Sequence, residues 1–230
     1  MDARTPWPFG GLKPFSYDFL MVDPPWPTKM RSEKGEAKSF VRHYGAMSFE
    51  AIAELPVANL MARDCIVFLW CTFPHLLYGG DPERHYCDAD AARSRVGECI
   101  RAWGLRYVTG GGWEKLTVTG KQRMGPGYRV RSVMEPFLLC VTGSPQNSKR
   151  ERNLIKGLAR EHSRKPEEAY AWAERYMPHA RRAELFSRQS RPRWDTWGLE
   201  AGKFDPVVHE NASPSKNERP KLRIVAGGVA

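Results

Sequence analysis

The residues best equipped for chemistry are Asp23-Pro24-Pro25-Trp26. They follow an apolar run, Phe19-Leu20-Met21-Val22, and precede a polar, basic stretch. An exocyclic amine on a flat base needs two hydrogen-bond acceptors and a surface to stack on. The Asp23 carboxylate can accept one amine hydrogen and the Pro24 carbonyl the other. On an extruded adenine, two such acceptors make N6 more pyramidal and turn its lone pair away from the ring. Trp26 offers a stacking face worth roughly 1–3 kcal/mol per base. Prolines fix φ near about −65°, so Pro24 and Pro25 hold the acceptors in place before substrate arrives. A sulfonium methyl donor on the lone-pair side completes an in-line transfer, with most of the rate gain coming from positioning.

Strands and helices must present that tetrapeptide. Asp18–Val22 reads as a buried strand, which puts Asp23 at its carboxyl end, where open parallel sheets bind ligands. Residues 28–42 carry Lys29, Arg31, Lys34, Lys38 and Arg42 with little apolar content and read as a mobile basic loop. Ser48 caps a short helix over Phe49–Glu54, stopped by Pro56. Ile66–Trp70 is an apolar strand. Arg93–Trp103 reads as a helix ending at Gly104, and Pro166 as the first residue of another, with Glu167 and Glu168 at its positive end. Tyr107–Lys115 and Glu135–Thr142 read as strands around a Gly-rich loop, and Ala183–Phe186 as the last strand. The alternation predicts an α/β fold, a mostly parallel sheet with helices on both faces. One domain spans 1–204, with an ordered Pro- and Gly-rich leader over 1–16, a polar surface insertion over 78–92, and a disordered polar tail over 205–230.

The chain has 230 residues and a net charge of +10, which points to a polyanionic partner. Between Lys149 and Arg193 there are 13 Lys/Arg against 6 Asp/Glu. Segments 28–42 and 149–193 are therefore the expected phosphate-tracking surfaces. No apolar run is long enough to span a membrane, and the first residues lack the apolar core of a signal peptide, so a cytoplasmic location is expected. The five cysteines are scattered without paired spacing and read as free thiols. His75, His85 and Cys87 match no metal-site spacing, so no metal is expected. Trp103, Trp113, Trp172 and Trp197 read as core side chains.

Taken together, Asp23-Pro24-Pro25-Trp26, Tyr44-Gly45-Ala46-Met47-Ser48, Phe68-Leu69-Trp70, Trp103-Gly104, Gly125-Pro126-Gly127-Tyr128, Glu184-Leu185-Phe186-Ser187-Arg188 and Trp194-Asp195-Thr196-Trp197-Gly198 occur in the order of the MT-A70-like N6-adenine methyltransferases. The sequence resembles that family over residues 17–200. The resemblance implies a Rossmann-like methyltransferase that uses S-adenosylmethionine, with the catalytic motif preceding the cofactor strand Glu184–Phe186. It implies that Asp23 and Pro24 face both donor and target amine, within a catalytic set Asp23, Pro24, Pro25 and Trp26. Arg188, Ser190 and Glu200 are then cofactor contacts, and Tyr44 belongs to a loop near the target base. Tyr128 and Arg131, read from the residues themselves, sit in a loop that can approach the substrate base or, through the guanidinium, the donor carboxylate. The chain departs from the pattern at Met134, where a lysine is common, at Leu199, where an asparagine stands, and at Gln189-Ser190-Arg191, in place of a His-Asn pair.

These residues predict methyl transfer to N6 of adenine in nucleic acid, DNA ahead of RNA because no separate RNA module is visible. The base must be flipped or single-stranded. A different class is a nucleic-acid-binding partner subunit that keeps the fold and has lost the cofactor; Met134 and Leu199 favour it and the intact tetrapeptide opposes it. A protein side-chain amide is a third substrate, but motifs for amides usually begin with Asn, and Asp23 argues against it. A protein partner or a homodimer is compatible with a chain lacking a recognition domain.

Overall fold

The computed structural model describes residues 6–27, 47–77, 94–127, 129–161 and 164–206. Tyr44 and Tyr128, the basic loop 28–42, the insertion 78–92 and the tail beyond 206 lie outside the described residues, as do Cys87 and His85.

Seven strands form one sheet in the order β5-β3-β4-β2-β1-β6-β7. They are β1 (Tyr17–Val22), β2 (Met61–Trp70), β3 (Arg106–Leu116), β4 (Met134–Thr142), β5 (Leu154–Leu158), β6 (Arg182–Leu185) and β7 (Trp194–Trp197). The pairs β1–β2, β1–β6, β3–β5 and β6–β7 are parallel, and only β4 runs against its neighbours. The expected mostly parallel α/β sheet is therefore present, with an antiparallel strand inside it. Four described helices accompany it: α1 (Phe49–Glu54), α2 (Phe73–Leu77), α3 (Arg95–Ala102) and α4 (Glu167–Tyr176). No helix among the described residues is long and apolar enough to cross a membrane.

Alternation along the central strands builds two cores. Leu20 and Val22 of β1 and Val67 and Leu69 of β2 face a cluster with Ile52 of α1 and Val96, Cys99 and Ile100 of α3. Phe19, Met21, Ile66, Phe68 and Trp70 face the opposite cluster, with Ala169, Tyr170 and Trp172 of α4. Both sheet faces are thus covered, which is why β1 and β2 read as unbroken apolar runs. Residues 6–16 pack onto the fold: Phe9 is fully buried in the first cluster, and the Trp197 indole donates to the Pro8 carbonyl at 2.9 Å. Trp103, Trp113 and Trp172 are buried, as expected of core residues.

Several boundaries differ from the sequence reading. Pro166 is the N-cap of α4 (φ −72°, ψ 147°), not its first helical residue. Phe186 lies outside β6 in a left-handed conformation (φ 63°). The folded region runs past 204, because Asp205 accepts from the Ser190 amide at 2.6 Å. β5, β7 and α2 carry weak local signals: each is four or five residues long, and β5 is interrupted by Lys156 and Gly157.

The connection into β5 crosses β3 closely at Gly111. A Cβ built there would lie 2.0 Å from the Asn153 carbonyl oxygen and 2.5 Å from the Phe137 ring. Gly111→Ala is expected to cost about 1–3 kcal/mol of stability through overpacking. Thermal unfolding should show it as a lowered midpoint.

Candidate active site

The crevice lies where the chain order of the sheet reverses. From β1 the chain passes to β2 on one side, and it returns to β6 on the other. Ligands gather outside the strand carboxyl ends at such a point. Asp23 follows β1 directly, and its amide still pairs with the Leu185 carbonyl of β6 at 3.3 Å. The next residues form a tight turn, in which the Trp26 amide donates to the Pro24 carbonyl at 2.8 Å. The Met47 amide donates to the Pro25 carbonyl at 3.2 Å.

Asp23 is paired with a cation that the sequence reading did not single out. Lys165 Nζ lies 3.0 Å from Asp23 Oδ1 and 2.5 Å from Glu135 Oε1. Lys115 Nζ approaches Glu135 Oε2 at 2.8 Å. The reversed direction of β4 is what makes this possible: its first residues lie beside the last residues of β2, so Glu135 comes to the same end of the sheet as Asp23, with β2 between their strands. Lys165 is almost fully buried and also sits 5.2 Å from the centre of the Trp70 ring. Burial pushes Asp23 above the ordinary carboxylate range; Lys165 opposes this and Glu135 adds to it, and burial prevails. Glu135 goes the other way: burial raises it, but the Lys165 and Lys115 ammonium groups outweigh burial and bring it down to about 2. Burial disfavours the charge on Lys165, yet its two carboxylate partners hold it above the usual lysine range.

Trp26 does not present the expected stacking face. Its side chain is 4% exposed, and its indole N–H donates to the Trp70 carbonyl at 3.0 Å. The ring packs against Phe49 and His75. It is an anchor for the loop. Phe73, at the start of α2 just beyond β2, is a large aromatic that stays half exposed.

On the β6 side, Glu184, Phe186, Arg188, Gln189 and Arg191 face Asp23, Arg164, Lys165 and Tyr170 around a cavity of about 10 Å³, room for roughly one water. Of the expected cofactor residues, Asp23 and Arg188 line this cavity; Pro24, Ser190 and Glu200 do not. Pro24 is buried. Ser190 is exposed, with its amide bonded to Asp205. Glu200 pairs with Arg188 at 3.5 Å and Lys203 at 2.7 Å. The left-handed turn at Phe186 folds Ser187 back, so that its hydroxyl donates to Glu184 Oε2 at 2.8 Å, while Tyr170 donates to Oε1 at 2.6 Å. Arg131 is exposed, and its Nε donates to the Gly125 carbonyl of its own loop at 2.8 Å. Met134 lies over Gly112, and Leu199 is fully exposed.

The basic excess of 149–193 is largely used inside the fold. Lys165 holds Asp23 and Glu135, Arg160 and Arg191 share Glu167, Arg175 pairs with Glu151, and Arg181 pairs with Asp18. Lys149, Arg150 and Arg152 stay exposed. By contrast, the 117–133 hairpin end carries Lys121, Arg123, Arg129 and Arg131 without any Asp or Glu. All four are exposed.

Comparison with known proteins fits this geometry. The MT-A70 family model matches residues 17–200. The chain therefore belongs to the MT-A70 family, whose fold is that of a Rossmann-like methyltransferase. It is 29% identical to an N(6)-adenosine-methyltransferase MT-A70-like protein of Arabidopsis thaliana over 75% of this chain and 22% of that protein. It is 28% identical to the type II methyltransferase M.MunI of Mycoplasma sp over 80% of this chain and 77% of that one. It is 26% identical to the N6-methyladenosine RNA methyltransferase MTA1 of Pyricularia oryzae over 87% of this chain and 52% of that protein. The chain thus spans about a fifth of the plant relative and about half of the fungal one.

A carboxylate held below its ordinary pKa stabilises the fold fully above that ordinary value and loses this contribution as pH falls. For Glu135 the window runs from about 4.5 down to about 2. The contribution is on the order of 3 kcal/mol. Denaturant unfolding measured across this range should show Glu135→Gln losing that part of the acid slope. An unchanged slope would show that Glu135 is not held as the anion.

Proposed function

We propose that the chain transfers a methyl group from S-adenosylmethionine to N6 of adenine in nucleic acid, and that the nucleic acid is DNA. The observation that carries this reading is Asp23, half-buried at the carboxyl end of β1 with its pKa raised, beside a crevice lined by a second carboxylate and several guanidinium groups.

The crevice carries charged groups that match the donor, although at about 10 Å³ it must widen to admit it. The donor's carboxylate seeks a guanidinium such as Arg164 or Arg188. Bound there, S-adenosylmethionine would supply an electrophilic methyl group on a sulfonium sulfur, with the carbon–sulfur pair returning to sulfur. Arg188, paired with Glu200, anchors the rim of that crevice.

Lys165 engages Asp23 Oδ1, so Oδ2 is the oxygen that receives an N6 hydrogen. The Pro24 carbonyl already accepts from the Trp26 amide, and its second lone pair is the other acceptor. As N6 forms its new bond to carbon it must lose a proton, and a carboxylate with a raised pKa is a competent acceptor. Lys165 keeps that carboxylate ionised until then. With Trp26 buried, stacking on the base is assigned to another aromatic, Phe73, exposed just beyond β2.

The preference for DNA rests on the relative of matching length, the type II methyltransferase; the relative named an RNA methyltransferase is about twice the matched length. The acid-free 117–133 hairpin end, with Arg131, and exposed Lys149, Arg150 and Arg152 are the surfaces proposed to meet phosphates.

Purified protein with S-adenosylmethionine should methylate N6 in single-stranded or duplex DNA oligonucleotides more efficiently than in matched RNA, read by nucleoside analysis. Asp23→Asn should bind the donor in calorimetry and lose methyl transfer by at least about a hundredfold. Wild-type rates in that variant would sink the mechanism, and absence of donor binding by the wild type would favour a non-catalytic partner subunit. The rate should fall on the acid side as Asp23 is protonated. Because Lys165 lowers the Asp23 pKa, Lys165→Met should move that acidic limb to higher pH. Replacing Lys121 and Arg123 together by Ala should weaken DNA binding and reduce its salt dependence by about two phosphate contacts.

A further inference from the structure

Past the tetrapeptide the chain reaches Pro27, whose carbonyl oxygen lies 3.1 Å from Nε2 of His75. A carbonyl only accepts, so Nε2 carries a proton and donates. His75 is 3% exposed, and its Nδ1 is buried without a hydrogen-bond partner among the described residues. An apolar side chain on α2 would avoid the cost of that orphaned nitrogen. What the imidazole provides in exchange is the bond to Pro27.

That bond closes a set of restraints on one short segment. The Asp23 amide is held by β6, the Trp26 indole by the Trp70 carbonyl, and the Pro27 carbonyl by His75. The His75 ring lies 5.2 Å from Phe49 and 6.1 Å from Trp26 between centroids. The His75 carbonyl accepts from the Ser94 hydroxyl at 3.1 Å, and the same hydroxyl caps α3 by accepting from the Gly97 amide. His75 therefore ties the far end of the loop to α1, α2 and α3, while prolines at 24, 25 and 27 limit how far a displacement can be absorbed between the two ends.

We propose that His75 is a positioning residue for methyl transfer: its Nε2–H, by holding the Pro27 carbonyl, fixes the Asp23 carboxylate and the Pro24 carbonyl in the orientation that receives the target amine. This rests on the reading of Asp23 and Pro24 as the amine acceptors. His75 itself touches neither the base nor the donor.

Two variants separate the bond from the packing. His75→Phe keeps a ring against Phe49 and Trp26 and removes the donor. His75→Gln loses the ring and keeps an N–H near Nε2. The turnover rate of His75→Phe should fall by about ten- to a hundredfold, the penalty of a small misplacement. Its affinity for S-adenosylmethionine and its melting temperature should stay near wild type, and His75→Gln should recover most of the lost rate. Amide hydrogen exchange gives a readout independent of activity. The Trp26 and Met47 amides, which bond the Pro24 and Pro25 carbonyls, should exchange faster in His75→Phe than in His75→Gln. Wild-type turnover and exchange in His75→Phe would overturn the proposal. So would equal losses in both variants with a lowered melting temperature, which would mean packing alone. If the wild-type protein methylates nothing, the functional reading fails, and the exchange comparison still decides whether His75 pins the loop.

Discussion

The buried ammonium of Lys165 is the constraint on which the Asp23 end of the sheet depends. Two carboxylates, Asp23 and Glu135, stand at the same end of the sheet, and without a cation between them both could not stay ionised. Burying an ion pair costs several kcal/mol of desolvation per ion, and losing one partner leaves the other charge exposed to that cost. The geometry is therefore close to obligatory once the strands are in place. Lys165 also comes from the segment that leads into α4, so a single charge joins β1, β4 and the crossover to β6. The Trp70 ring beneath it completes an environment in which the cation has little freedom to leave.

Much of this could be read from the chain, for identifiable reasons. β1 and β2 are covered on both faces, so their apolar runs are continuous and Asp23 falls at a strand end without ambiguity. Ser48 and Gly104 marked helix ends because a cap leaves a local chemical signature; the Ala51 amide does bond Ser48 Oγ, and Gly104 does adopt a positive φ. Short edge strands gave no comparable signal. β5 exposes Leu154 and Leu158, and β7 is four residues long.

The site was less legible, because its decisive contacts link residues far apart in sequence. A lysine before a helix-starting proline reads as a surface charge, and only the sheet brings Glu135 and Asp23 to it. Trp26 reads as a stacking surface from its residue type and neighbours, and only the distant Trp70 carbonyl and Phe49 ring make it a core anchor. The basic excess of 149–193 looked free because some of its partners, Asp18 and Asp23 among them, lie outside the segment. On the β6 side, the turn at Phe186 uses a backbone conformation unusual for a bulky residue. Nothing in residue type announces it, yet it decides how Ser187, Glu184 and Tyr170 meet.

The burial of Trp26 changes how damage to the tetrapeptide should be interpreted. Half of the motif carries the proposed proton acceptor, and the other half holds the loop to the core. A change at Asp23 leaves the scaffold's apolar contacts in place, whereas a change at Trp26 opens a void between α1, α2 and the end of β2. Loss of activity after each substitution is the same observation with two meanings: one reports chemistry removed, the other a fold loosened. A dead enzyme made by replacing all four residues therefore cannot serve as a chemically silent control, and the single Asp23 substitution can.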